Sequence, residues 1–76
     1  MLEIIDNLQT GGKSCYFQKN EEFYYADRSY VPFVGMETMI FPCDENHEVT
    51  SWLEVYCDRS GKSLQSCVDE FIASED

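Results

Sequence analysis

Two runs of β-branched and aromatic residues dominate the middle of the chain, and a polar cluster divides them. Met36-Glu37-Thr38-Met39-Ile40-Phe41-Pro42-Cys43 leads into Asp44-Glu45-Asn46-His47, and Glu48-Val49-Thr50-Ser51-Trp52-Leu53-Glu54-Val55-Tyr56-Cys57 leads out. Strand-favouring residues on both sides of a group of turn-formers predict a hairpin. A two- or four-residue loop within 44–47 sets Cys43 opposite Glu48, Phe41 opposite Thr50, Met39 opposite Trp52 and Glu37 opposite Glu54. One face then holds Met36, Thr38, Ile40, Pro42, Val49, Ser51, Leu53 and Val55, an aliphatic surface ready to be covered. The other holds Glu37, Met39, Phe41, Glu48, Trp52, Glu54 and Tyr56. A three-residue loop would slide one arm and reverse its faces. The first register is adopted because it leaves one face aliphatic. It sets Glu37 across from Glu54, a like-charge pair that weakens a sheet slightly. Either both carboxylates splay into water or the charge serves something else.

Cys15-Tyr16-Phe17-Gln18 and Phe23-Tyr24-Tyr25-Ala26 flank Lys19-Asn20-Glu21-Glu22 and predict a second hairpin with a polar tip. Its aromatic residues are too many for one small core. Some tyrosines therefore pack the rim with wetted hydroxyls or serve as contact residues. The stretch 27–35 contains Pro32, which breaks a central strand, and reads as the connection between the hairpins. Before the first hairpin, residues 2–9 fit a short helix or an edge strand equally. Thr10-Gly11-Gly12-Lys13-Ser14 reads as a flexible turn. Gly12-Lys13-Ser14 echoes the end of a phosphate loop, but Asn7 stands where that motif needs its first glycine, so nucleotide binding is rejected. Near the C-terminus Leu64, Cys67, Val68, Phe71 and Ile72 recur at helical spacing. With Ser63 as N-cap, they predict a helix over about 63–73 whose stripe covers the aliphatic face. The fold expected is α+β: a four-stranded antiparallel sheet of two hairpins with one C-terminal helix packed on one face, in a single domain over 1–76.

Charge changes the picture more than any other property of the composition. Fifteen acidic residues against five basic ones give a formal net charge of −10 on 76 residues. Such a field repels nucleic acid and anionic membrane and draws basic partners, although many acidic proteins use it only for solubility. No apolar run is long enough to span a membrane, and the acidic start Met1-Leu2-Glu3 does not resemble a secretory signal. A cytoplasmic protein with reduced thiols at Cys15, Cys43, Cys57 and Cys67 is therefore expected. Three disulfide connectivities would be open to them if the protein were secreted. Zinc on Cys43, His47, Cys57 and Cys67 is the remaining alternative, at a spacing unlike the usual ligand patterns. No metal or cofactor is expected.

Catalysis has little to stand on. His47, the one histidine, sits in a turn among acids, and neither it nor Cys43 has an evident third, orienting group. Asp44-Glu45-Asn46-His47-Glu48 does not follow the calcium-loop spacing. A core this small can scarcely enclose a substrate pocket as well.

Glu37-Thr38-Met39-Ile40-Phe41, Asp44-Glu45-Asn46, Glu48-Val49-Thr50, Trp52 and Arg59 resemble a pattern in small acidic proteins encoded by phages and mobile elements of Firmicutes. The resemblance covers about a third of the chain. It departs at His47, where glycine is expected in the turn, and the helix after Arg59 matches only in type. The resemblance implies an accessory protein of a phage or prophage. Small acidic accessory proteins are in turn similar to anti-CRISPR inhibitors, some of which occupy a nuclease's DNA-binding cleft. Independently of that, carboxylates alternating along a strand lie ~7 Å apart on one face, close to the ~7 Å between successive phosphates of a DNA strand. A DNA mimic of this kind would present Glu37, Glu48, Glu54 and Asp58, the tip acids Asp44 and Glu45, and Glu21 and Glu22 of the neighbouring hairpin. Trp52, Tyr56 and Phe41 would supply apolar anchors. The expected partner is a basic protein surface, such as a CRISPR effector or another nucleic-acid-binding protein, with no direct contact to nucleic acid or membrane. The alternative is self-association, as a homodimer, through an exposed aromatic sheet face.

Overall fold

The computed structural model describes residues 4–7 and 12–74, with Asp6 and Asn7 by backbone only. Strands β1 (Ile5–Asn7), β2 (Gly12–Lys19), β3 (Glu22–Val31), β4 (Gly35–Cys43) and β5 (Tyr56–Asp58) precede one helix, α1 (Leu64–Ala73). The strands lie side by side in chain order, every neighbour antiparallel. Four consecutive strands with a C-terminal helix on one face match the expected α+β architecture, and the three-residue β5 extends the sheet along β4.

Each turn has a local cause. Lys19 pairs with Glu22 across the two-residue loop Asn20-Glu21, whose φ angles are 52° and 45°. Two successive positive φ angles match the twist of a tight hairpin, and Asn-Gly is the pair that adopts them at least cost. Glutamate at the second position is held against its preference. Glu21→Gly is therefore expected to stabilise the protein by about 1 kcal/mol. The gain would appear as a higher urea midpoint, and an unchanged or lower midpoint would show that Glu21 carries no strain.

The β3–β4 connection is also tight. Val34 N–H donates to the Val31 carbonyl at 3.0 Å. Pro32 supplies the fixed φ that the second turn position favours. Phe33 follows at φ 68° with its side chain wholly exposed, at 107% of its reference area. The anticipated crossover over 27–35 is thus a strand that runs on to Val31 and a tight turn. Pro32 ends the strand instead of breaking it from within. Likewise Gly12-Lys13-Ser14 is the start of β2, not a turn; Thr10 and Gly11 lie outside the described residues. A Cβ at Gly12 would stand 1.7 Å from the Arg28 carbonyl oxygen, so no larger residue fits there. Of residues 2–9, Ile5–Asn7 is strand, and residues 2, 3, 8 and 9 lie outside the described residues.

The core lies between the sheet and the helix. Cys15, Ala26, Ile40 and Tyr56 stand opposite one another on four successive strands, and cross-strand partners share a face. Leu64, Val68 and Phe71 close onto this row. The helix begins as expected, with the Ser63 hydroxyl accepting from Ser66 N–H. Its stripe is narrower than the periodicity suggests, since Ile72 is exposed. At its end Lys19 Nζ donates to the Phe71 and Ser74 carbonyls, each at 2.9 Å, where a cation suits both the orphan carbonyls and the helix dipole. Near its start Arg28 donates to the Lys62 and Gly61 carbonyls, both at 3.2 Å.

The central hairpin departs from its expected register. β4 forms as anticipated, with Thr38 and Ile40 buried toward the helix. Its partner, however, is β5: Thr38 faces Asp58, Met39 faces Cys57 and Ile40 faces Tyr56. Cys43 makes a single bridge to Val49. Glu37 does not face Glu54, nor Met39 Trp52, nor Phe41 Thr50, nor Cys43 Glu48. Between Val49 and Tyr56 the chain bulges outward, pinned by Thr50 N–H to the Pro42 carbonyl at 3.0 Å and Val55 N–H to the Ile40 carbonyl at 2.8 Å. Relative to the expected register the second arm has slipped by an odd number of residues, which exchanges its faces. Tyr56 consequently turns to the helix and Cys57 to the opposite side. The gain is an aromatic residue on the core, its ring edge-on to Phe71 at 6.0 Å.

Candidate functional site

On the face away from the helix, aromatic rings run across the sheet. Tyr16 and Tyr25 lie 5.1 Å apart, and Phe41 is 6.5 Å beyond Tyr25. The segment between β4 and β5 folds its own side chains onto the two ends of this row. His47 stacks on Tyr16 at 4.1 Å, nearly parallel, and Trp52 meets Phe41 edge-on at 5.1 Å. The turn that carries His47 is built by Asp44, whose carboxylate accepts from Asn46 N–H at 2.8 Å and Glu48 N–H at 3.0 Å. His47 has φ 67°, at the position where glycine was expected. The bulge leaves Trp52 and Leu53 projecting, 70% and 77% exposed.

The acids expected to form the binding surface divide into two groups. Glu37 is only 8% exposed, and its carboxylate accepts from Arg59 Nε at 2.5 Å. Asp58 points to the helix side, where it accepts from the Ser60 hydroxyl at 2.8 Å and lies 3.7 Å from Lys62 Nζ. The Ser60 hydroxyl is the main reason its carboxyl sits below the ordinary range. Tyr56 is core, and burial, with Cys67 and Glu70 nearby, pushes its hydroxyl up to about 12. Phe41 is buried beneath Trp52. Glu37, Asp58, Tyr56 and Phe41 are therefore structural, and a strand-borne array of carboxylates is absent among the described residues. Only the register places Arg59 beside Glu37, so the sequence pattern could not reveal this pair.

Glu21, Glu22, Asp44, Glu45 and Glu48 gather at one end of the sheet, because Phe23 at the start of β3 pairs with Cys43 at the end of β4. Glu54 lies on the adjoining bulge. Among the described residues no cation pairs with any of these six. Lys19 and Arg28 hold the helix and its approach, Arg59 holds Glu37, and Lys62 pairs with Asp58 and Glu70. Apart from Asp44, which is committed to its turn, their charge faces solvent.

The proposed zinc ligands do not converge. Cys43 and Cys57 lie on the face away from the helix, while Cys67 is buried under the helix. No three His, Cys, Asp or Glu side chains are grouped to hold a metal among the described residues. All four cysteines are free, and Cys57 alone is exposed. Burial pushes the Cys15 thiol up to about 11. A maleimide at neutral pH is expected to label Cys57 on the folded protein, and Cys15, Cys43 and Cys67 only as the chain unfolds. Equal labelling rates by mass spectrometry would contradict this burial.

No described helix is long and apolar enough to cross a membrane. Comparison with family models, curated proteins and solved structures gives no match to this chain.

Proposed function

We propose that this is a non-catalytic binding protein that occupies a basic surface of another protein through its acidic end. Glu21, Glu22, Glu45, Glu48 and Glu54 make the charged contacts, and Trp52 and Leu53 are the apolar anchors beside them. The observation that carries the reading is Glu21. A glycine would relax the turn, yet a glutamate stands there at positive φ, next to acids that pair with no cation among the described residues. Strain retained at an exposed charge points to use of that charge. A cluster of carboxylates that keeps its field is suited to a site that otherwise binds phosphates. The partner class is therefore a nucleic-acid-binding protein. The resemblance to phage accessory proteins implies a CRISPR effector as one instance, with the protein acting there as a DNA mimic and inhibitor.

Self-association through an open aromatic face has less support. His47 stacks on Tyr16 and Trp52 meets Phe41, so both ends of the aromatic row are occupied by the protein's own chain and less of it is left for a partner copy.

The test is capture of partners from a host lysate at low and at high salt, followed by competition with duplex DNA. The reading expects nucleic-acid-binding proteins that are retained at low salt, released at high salt and displaced by the duplex. Retention indifferent to both salt and DNA would overturn it.

A further inference from the structure

Beside the acidic end lies a groove of about 330 Å³ on the face away from the helix, walled by Ile5, Tyr16, Gln18, Phe23, Cys43 and His47. Five elements contribute to it: β1, β2, β3, β4 and the turn after β4. The volume is at the lower limit for small-molecule sites, enough for one large side chain and too little for a cofactor. Most of its wall is apolar or aromatic. The far wall is the imidazole of His47, set on Tyr16 by a backbone in the left-handed region. Around the groove stand Glu21 and Glu22, next to Phe23, and Asp44, Glu45 and Glu48, which bracket Cys43 and His47.

An apolar slot whose lining residues adjoin Glu21, Glu22, Glu45 and Glu48, which pair with no cation among the described residues, selects for a particular chemistry. A neutral apolar segment would gain the slot and forgo the charges, and a purely basic one would gain the charges and leave the slot wet. We propose that the groove receives a single phenylalanine or leucine side chain of the partner, carried on an extended segment with lysine or arginine on both sides. This deepens the acidic-end reading and rests on it. The charges attract the segment and the groove fixes its register, the usual division between electrostatic steering and a buried anchor.

Two peptides test this, Lys-Lys-Phe-Lys-Lys and Lys-Lys-Ala-Lys-Lys, titrated calorimetrically into the full chain at low salt. The phenylalanine peptide is expected to bind about tenfold more tightly, the effect of burying much of one aromatic side chain. In Gln18→Trp, which fills the groove from an exposed position, and in His47→Gly, which removes its wall where glycine suits the backbone, the ratio should fall to near one. Melting curves establish that both variants are folded. Equal binding of the two peptides to the unaltered protein, or a tenfold ratio that survives in both variants, overturns the groove and leaves the acidic end standing. Failure of both peptides to bind overturns both.

Discussion

Phe71→Ala is expected to remove about 3–5 kcal/mol of stability, the usual cost of deleting a buried aromatic ring. Phe71 is where the helix is fastened to the sheet. Its ring is edge-on to Phe17, Tyr24 and Tyr56 at 5.9, 4.9 and 6.0 Å, and Lys19 Nζ lies 4.6 Å from its centre. One truncation therefore opens a cavity bounded by three rings from three strands. It also takes the aromatic face from the cation that holds the helix end. Since domains of this size have only about 5 kcal/mol or a little more to lose, the variant should be largely unfolded at 37 °C. Urea unfolding followed by circular dichroism reads the effect. A loss below about 1 kcal/mol would mean that the helix is secured elsewhere.

Reversing Glu21, Glu22, Glu45 and Glu48 to lysine together is expected to weaken partner binding at low salt by about 100-fold or more, because like charges then meet across the interface. These four carboxylates accept no hydrogen bond and pair with no cation among the described residues, so the fold does not depend on them. Thermal stability should hold or rise, since most of the net charge of −10 is removed with them. Binding measured against the captured partner, together with the melting temperature, separates the two effects. Undiminished affinity in a folded variant would locate the interface elsewhere. Glu37→Lys is the uninformative choice, because Glu37 is buried against Arg59 and its reversal damages the sheet first.

Local chemistry made some elements legible from the residues alone. The helix was readable because its apolar spacing and the Ser63 cap are local facts, and so was the tip of the second hairpin. β4 was readable as a strand, and its alternation placed Ile40 inward correctly. Its partner was not readable, because residues 49–55 have strand-forming character and nothing local says that they bulge. The observed register sets Tyr56 edge-on to Phe71 of the helix, a contact between two elements that the local pattern of either one does not reveal. Pro32 has two readings, strand-breaker or turn-former, and the choice depends on whether β3 finds β4. Of the residues expected to make contacts, Glu21, Glu22, Glu45, Glu48 and Trp52 lie exposed, as charge and aromaticity suggested, while Asp44 is taken up by its turn. Glu37, Asp58, Phe41 and Tyr56 were misread because burial and ion pairing are properties of the assembled fold. The groove was not foreseen, since its wall depends on a histidine adopting a backbone conformation usually left to glycine.

The turn at Phe33 sits at the far end of the sheet from the acidic residues, with an aromatic side chain standing free of everything around it. A peptidase that prefers to cut after large aromatic residues would find its best substrate there. One cut would divide the protein into a piece carrying β1 to β3 and a piece carrying β4, β5 and the helix. Neither half has a core of its own, because the helix rests on strands of the other. The two would be complementary fragments, folding only when they meet, and that seam is the natural place to split this protein into a two-part reporter.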